Sequence, residues 1–299
     1  MNAPTPRTLL AVGETMAMIV PSVFASVVDA DSFIVEAGGA ESNVATHVAQ
    51  AGHRAVWFSR LGSDPLGHRV AQQLASRGVD VSRVSWDDER PTGVYVKNPG
   101  AGVTYYRRGS AASALSRSDA DGIDLAGVDV LHVSGITAAI SDTAREFLEQ
   151  LMNRAQTAGI RISFDVNHRI PLWDAVTAAP VLLALARQAD IVFTGRDEAE
   201  TLWATATADD VRALLPDVDE LIVKDGDVGA TAFTGQGRVF VPALVVDVVE
   251  PVGAGDAFAG GYLAALLSNA STPDRLTVGH AFAARTLMSL TDTVEGSYA

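Results

Sequence analysis

Short apolar runs alternate along the chain with longer amphipathic stretches, and this rhythm limits the fold more than any other feature. The runs at 9–12, 55–60, 128–133, 161–165, 191–194 and 221–224 read as strands. Several are apolar throughout, as strands covered on both faces are. Helical patterns lie between them. Asp64 is a capping residue followed by Pro65, which suits a first helical position, and Gly78 stands where that helix should stop. Over 141–158, Phe147, Leu148, Leu151, Met152 and Ala155 form one apolar stripe, closed by Gly159. Strand–helix–strand alternation predicts an α/β chain: a mostly parallel sheet flanked by helices on both faces.

Two segments break the rhythm. Residues 15–35 are rich in Val, Ile and Phe without helical period, and 91–108 carry VYV and VTYYR around Asn98-Pro99-Gly100. Both read as antiparallel strands. The expected organisation is one domain over 1–299, with a small β-sheet lid formed by about 15–36 and 91–108. The 299 residues, 48% of them apolar, suffice for such a core.

Composition excludes several functions. The formal net charge of −14 makes a poor general binder of nucleic acid or anionic membrane, so an anionic ligand needs local positive charge. The absence of cysteine excludes disulfides, thiolate zinc sites and cysteine nucleophiles. The first apolar run is broken by Glu14, unlike a secretory signal, and no long uncharged apolar stretch follows; a cytoplasmic protein is expected. Only two lysines occur, Lys97 and Lys224, and neither follows a glycine, so there is no Walker-type loop. A dinucleotide GxGxxG, an HExxH zinc site and a GxSxG elbow are also missing.

The strongest local signal is Gly253-Ala254-Gly255-Asp256 opening the apolar segment AFAGGYLAALL. Glycine amides at a helix start form an anion site. An aspartate there would repel a resting phosphate but suits a base that deprotonates an attacking hydroxyl; the alternative is an Asp-capped helix. Gly38-Gly39-Ala40-Glu41-Ser42-Asn43 permits close approach of a ligand, or simply starts a helix. In Tyr105-Tyr106-Arg107-Arg108, strand spacing would place Tyr105 and Arg107 on one face, suited to a carboxylate or to an exposed edge. Phe164-Asp165-Val166-Asn167-His168-Arg169 ends a strand where open α/β sheets bind ligands, though it reads equally as a structural loop. The acids Asp197, Glu198 and Glu200 suit magnesium or a helix N-terminus.

GGAESN, VKDGDVGA and GAGDAF, in this order, resemble the PfkB (ribokinase-like) sugar kinase family over essentially the whole chain. AESNVA, YYRRGSAASAL, HVSGIT and FDVNHRIPLW resemble its 2-keto-3-deoxygluconate kinases most. The resemblance implies a ribokinase-like fold, ATP and Mg²⁺, and often a homodimer through the lid. It implies Asp256 as the base, with the amides of Gly253, Ala254 and Gly255 as anion hole. Gly38, Gly39, Asn43, Tyr95, Tyr105, Arg107, Ile136, Arg169 and Asp292 would line the sugar site. Asn167, Lys224, Gly226 and Gly229 would face ATP, with adenine near the final helices, and Glu198 would serve the metal, if need be through water.

Three departures stand out. Gly195 replaces the family's asparagine three residues before Glu198, and Glu250-Pro251-Val252 replaces the usual Asp-Thr before GAGD, so a monovalent cation is not carried over. TDTVEGSYA matches loosely. The expected reaction is ATP-dependent phosphorylation of 2-keto-3-deoxygluconate. The alternatives are a kinase for fructose or another keto-deoxy acid, and a catalytically weak sugar-binding regulator on the same fold.

Overall fold

The computed structural model describes residues 7–289, 291 and 292; most of TDTVEGSYA lies outside them. The strands are β1 (Thr8–Val12), β2 (Met16–Pro21), β3 (Phe33–Gly38), β4 (Arg54–Phe58), β5 (Arg60–Gly62), β6 (Ser85–Asp87), β7 (Val94–Asn98), β8 (Gly102–Tyr106), β9 (Val130–Ser134), β10 (Arg161–Asp165), β11 (Ile191–Gly195), β12 (Glu220–Asp225), β13 (Gly229–Thr234) and β14 (Gly237–Pro242). The helices are α1 (Ala40–Gln50), α2 (Pro65–Ser76), α3 (Arg117–Gly122), α4 (Gly135–Ile140), α5 (Asp142–Thr157), α6 (Ala175–Ala186), α7 (Arg196–Trp203), α8 (Ala208–Leu214), α9 (Ala254–Leu267) and α10 (Thr272–Leu287).

The main sheet has eight strands in the order β14-β13-β12-β11-β10-β9-β1-β4. Pairing is parallel from β4 to β12, and β13 and β14 are antiparallel. Period-two geometry explains the unbroken apolar runs. Leu10 and Val12 of β1 enter one core with Phe147, Leu148 and Leu151 of α5, whereas Leu9 and Ala11 enter a second with Val44 of α1 and Leu263 of α9. Each large side chain so buried contributes roughly 1.5–3 kcal/mol. Among the described residues, no helix is long and apolar enough to cross a membrane.

Cap chemistry follows the sequence. Asp64 accepts from the Gly67 amide at 2.8 Å to start α2, and Ser141 accepts from the Ala144 amide at 3.0 Å to start α5. Helix α9 is buried nearly all round. A Cβ on Gly260 would lie 2.6 Å from His47 of α1, and one on Gly261 2.8 Å from Phe282 of α10. The glycine pair thus lets two helices close on α9 and sets its N-terminus at the carboxyl edge of the sheet.

The structure differs from the sequence expectation at three places. The single strand expected at 55–60 is two: β4 in the main sheet and β5, which pairs with β6. The β13–β14 hairpin was not foreseen, because its glycines and polar residues dilute the strand pattern. The small sheet runs β3-β2-β7-β8. Its β2–β3 and β7–β8 pairs are antiparallel, but β2 and β7 are parallel, since the chain crosses through α1, β4 and α2 between them.

Candidate active site

The order of the main sheet reverses at β1: the chain leaves to β4 on one side and later enters β9 on the other. Ligands of open α/β sheets bind outside the carboxyl ends of strands near such a point. Two adjoining cavities lie there, of about 630 and 60 Å³. Asp256, Gly253, Val252, Tyr105 and Arg169 line both, so Asp256 stands at their junction.

Asp256 lies in the first turn of α9, after Gly253 in a left-handed conformation (φ 90°). Its carboxylate accepts from Asn43 Nδ2 at 2.9 Å. Burial pushes its pKa up to about 6, opposed by the Asn43 bond and the Arg169 charge. The Ala254 amide already donates a long bond, 3.4 Å, to Pro251 O.

The larger cavity carries Asp165, Asn167, Gly195, Glu198, Lys224 and Gly255. Lys224 Nζ donates to Asp165 Oδ2 at 2.9 Å, and a Cβ on Gly255 would lie 3.6 Å from that nitrogen. Burial works against the lysine's charge, but Asp165 and Glu198 more than offset it and raise its pKa. Asn167 is buried with φ 44°, a conformation asparagine tolerates better than most residues. Both oxygens of Glu198 are engaged, by the amides of His168 and Gly195 (3.0 Å) and by Thr194 Oγ1 (2.9 Å). Burial and Asp165 raise its pKa. It therefore reaches back to cap α7 and holds the 168–169 loop. Among the described residues, no group of three His, Asp or Glu side chains could hold a metal ion by itself. A side chain on Gly195 would start 2.9 Å from Asp197 Oδ1.

Gly226 and Gly229 line neither cavity. Gly226 lies in the turn after β12 and Gly229 opens β13 beside it; both have positive φ, and a Cβ on Gly229 would lie 2.4 Å from Val241 O. The turn itself accounts for both glycines.

Gly38, Gly39, Asn43, Tyr95, Tyr105, Arg107, Ile136, Arg169 and Asp292 all line the smaller cavity. A Cβ on Gly38 would fall 1.9 Å from the Tyr95 hydroxyl, so only glycine leaves room for that ring. Tyr95 donates to Asp292 Oδ2 at 2.8 Å. Arg107 lies just beyond the end of β8, contrary to the strand expectation, yet its guanidinium carbon sits 5.7 Å from the centre of the Tyr105 ring.

Several residues here escaped the sequence reading. Arg107 is paired with buried Glu14, whose other oxygen accepts from Ser110 at 2.6 Å. Lys97 Nζ donates to Asp292 Oδ1 at 2.5 Å. Glu41, two residues before Asn43, accepts from Ser134 at 2.6 Å, and burial raises its pKa to about 7. A signal existed for two of these: Glu14 interrupts an apolar run, and Lys97 is one of only two lysines.

The profile of the pfkB family carbohydrate kinases matches residues 7–292. The chain belongs to this family. It is a carbohydrate kinase with a ribokinase-like fold. A 2-dehydro-3-deoxygluconokinase of Bacillus subtilis (strain 168) is 38% identical, over 91% of this chain and 87% of the relative. A 2-dehydro-3-deoxygalactonokinase of Haloferax volcanii is 32% identical, over 97% and 92%. A probable fructokinase-3 of Arabidopsis thaliana is 31% identical, over 88% and 79%. The crystal structure of a Thermotoga maritima 2-dehydro-3-deoxygluconokinase superposes with a TM-score of 0.90 at 25% identity, covering 97% of each chain.

Proposed function

We propose that this kinase phosphorylates 2-keto-3-deoxygluconate at its 6-hydroxyl, using ATP with Mg²⁺. The observation that carries the reading is the place of Asp256, buried at the junction of a larger cavity and a narrow one lined by Tyr105, Arg107 and Arg169. The larger cavity takes the triphosphate and the narrow one the sugar acid. The 6-hydroxyl loses its proton to Asp256 while its oxygen bonds to the γ-phosphorus. The bond from that phosphorus to the bridging oxygen of ADP breaks, and ADP leaves with the electron pair. Gly253 and Gly255 offer amides to the transferring group, Ala254 less so. Lys224 meets phosphate charge, Asn167 lines the nucleotide side, and Gly226 and Gly229 shape the turn beside it. Magnesium, when bound, screens the phosphate oxygens.

In this reading the small sheet is a lid over the sugar. Exposed Val23, Phe24 and Val28 in the β2–β3 connection, with Tyr106 of β8, offer apolar surface to a second copy in a homodimer. An ATP requirement fits a cytoplasmic location. A second reading has one observation in its favour: Glu14 already neutralises Arg107, which would suit a neutral sugar such as fructose. ATP consumption with magnesium, measured against 2-keto-3-deoxygluconate, its galactonate-derived epimer, fructose and ribose, separates the two. Strong preference for the keto-deoxy acids supports the first reading, and preference for fructose replaces it with the second.

A further inference from the structure

We infer that Lys97 determines specificity for an anionic sugar by acting through Asp292. Lys97 and Tyr95 are two residues apart on β7 and share a face. Together they hold both oxygens of one carboxylate: Lys97 binds Oδ1 and Tyr95 binds Oδ2 of Asp292. Lys97 is only 1% exposed, and a lysine is almost never buried this deeply without a charged partner. Asp292 lines the narrow cavity, whereas Lys97 stands behind it.

The charges around that cavity give the pair its meaning. Three carboxylates, Glu14, Asp256 and Asp292, line it against two guanidinium groups, Arg107 and Arg169. Glu14 is committed to Arg107. A sugar acid adds another carboxylate to this poorly solvated space, where like charges repel strongly. Lys97 cancels Asp292 from behind without occupying room the sugar needs. Asp292 thereby keeps lone pairs for a sugar hydroxyl while presenting little net charge. For a neutral sugar the same cancellation matters much less. Asp292 also packs on the turn before α9, since a Cβ on Gly253 would lie 3.0 Å from its Cα. The carboxylate is thus fixed beside the turn that carries the base.

This inference rests on the keto-deoxy acid reading. Its test compares steady-state kcat/KM for 2-keto-3-deoxygluconate and for 3-deoxyfructose, which replaces the carboxylate by a hydroxymethyl group. Lys97→Met should reduce the acid-over-neutral preference about tenfold or more, the scale of a lost charge-assisted bond, through KM for the acid and with KM for ATP unchanged. Lys97→Arg should retain the preference to within about threefold. The double variant Lys97→Met/Asp292→Asn removes both charges, and the preference lost in Lys97→Met should return. If Lys97→Met does not fold, the double variant, with no unpaired buried charge, carries the test. A Lys97→Met enzyme with unchanged preference, or a double variant that has lost it, overturns the role of Lys97 alone. A wild-type enzyme that prefers 3-deoxyfructose overturns the substrate reading and this inference with it.

Discussion

Asn43 and Asp256 stand 213 positions apart in the chain, and Asn43 Nδ2 donates to Asp256 Oδ2 at 2.9 Å. The bond joins the first turn of α1 to the first turn of α9, two helices brought together at Gly260. It turns one carboxylate oxygen toward α1 and, in the proposed reaction, leaves the other for the sugar hydroxyl. It also opposes the rise in pKa that burial imposes on Asp256. Asp256 is therefore mostly ionised at neutral pH yet still basic enough to accept a proton, the balance a general base needs.

Asp256→Asn should lower kcat by about 10²–10⁴-fold with little change in sugar KM. Near-normal turnover in the folded variant would remove Asp256 from the chemistry. The same substitution should stabilise the fold at pH 7. The folded pKa of about 6 lies above the ordinary value of 3.8, so ionising Asp256 in the fold becomes unfavourable as pH rises through this window, and fully so above it. Relief is on the order of 1–3 kcal/mol. Melting curves of the two proteins should differ at pH 7 and converge toward pH 4.

Turnover should depend on pH with the sign set by the same group. Below about 6 the carboxyl is protonated and cannot accept the hydroxyl proton. The kcat/KM profile, which reports the free enzyme, should rise with pH and level off above that value. A profile flat from pH 5 to 8 would contradict a titrating base at this position.

Arg107→Ala should raise KM for a sugar acid far more than for its neutral analogue, because a charge-assisted bond is lost. It should also destabilise the protein by roughly 3 kcal/mol, since buried Glu14 loses its partner. Adding Glu14→Gln should recover much of the stability but not the acid preference. Equal KM changes for acid and neutral sugars would mean that Arg107 does not read the carboxylate.

Gly38→Ala places a methyl group 1.9 Å from the Tyr95 hydroxyl, closer than any contact can hold. Tyr95 must move, and its bond to Asp292 goes with it. Sugar KM should rise about tenfold or more, the scale of a hydrogen bond to a charged group, while KM for ATP stays near the wild-type value. Parallel changes in both constants would argue for a general disturbance rather than a local one.

Local chemistry was enough to read much of the main sheet and the start of α9. Buried parallel strands must be apolar on both faces, so 161–165 read as a strand, and the glycines of Gly253-Ala254-Gly255-Asp256 marked a helix start without deciding between a cap and an anion site. The Asp64 cap was readable because a cap acts within three residues. Pairings between distant residues were not readable. The parallel meeting of β2 with β7 depends on how the intervening chain packs, and no local pattern encodes it. Arg107 read as a cation for a ligand carboxylate or for solvent, but the fold gives it Glu14; Lys97 carried no reading beyond its rarity, but the fold buries it on Asp292. Residue type sets which charges a chain can bring to a site. Which of them cancel depends on distances of a few ångströms between segments far apart in sequence, and only tertiary packing sets those distances.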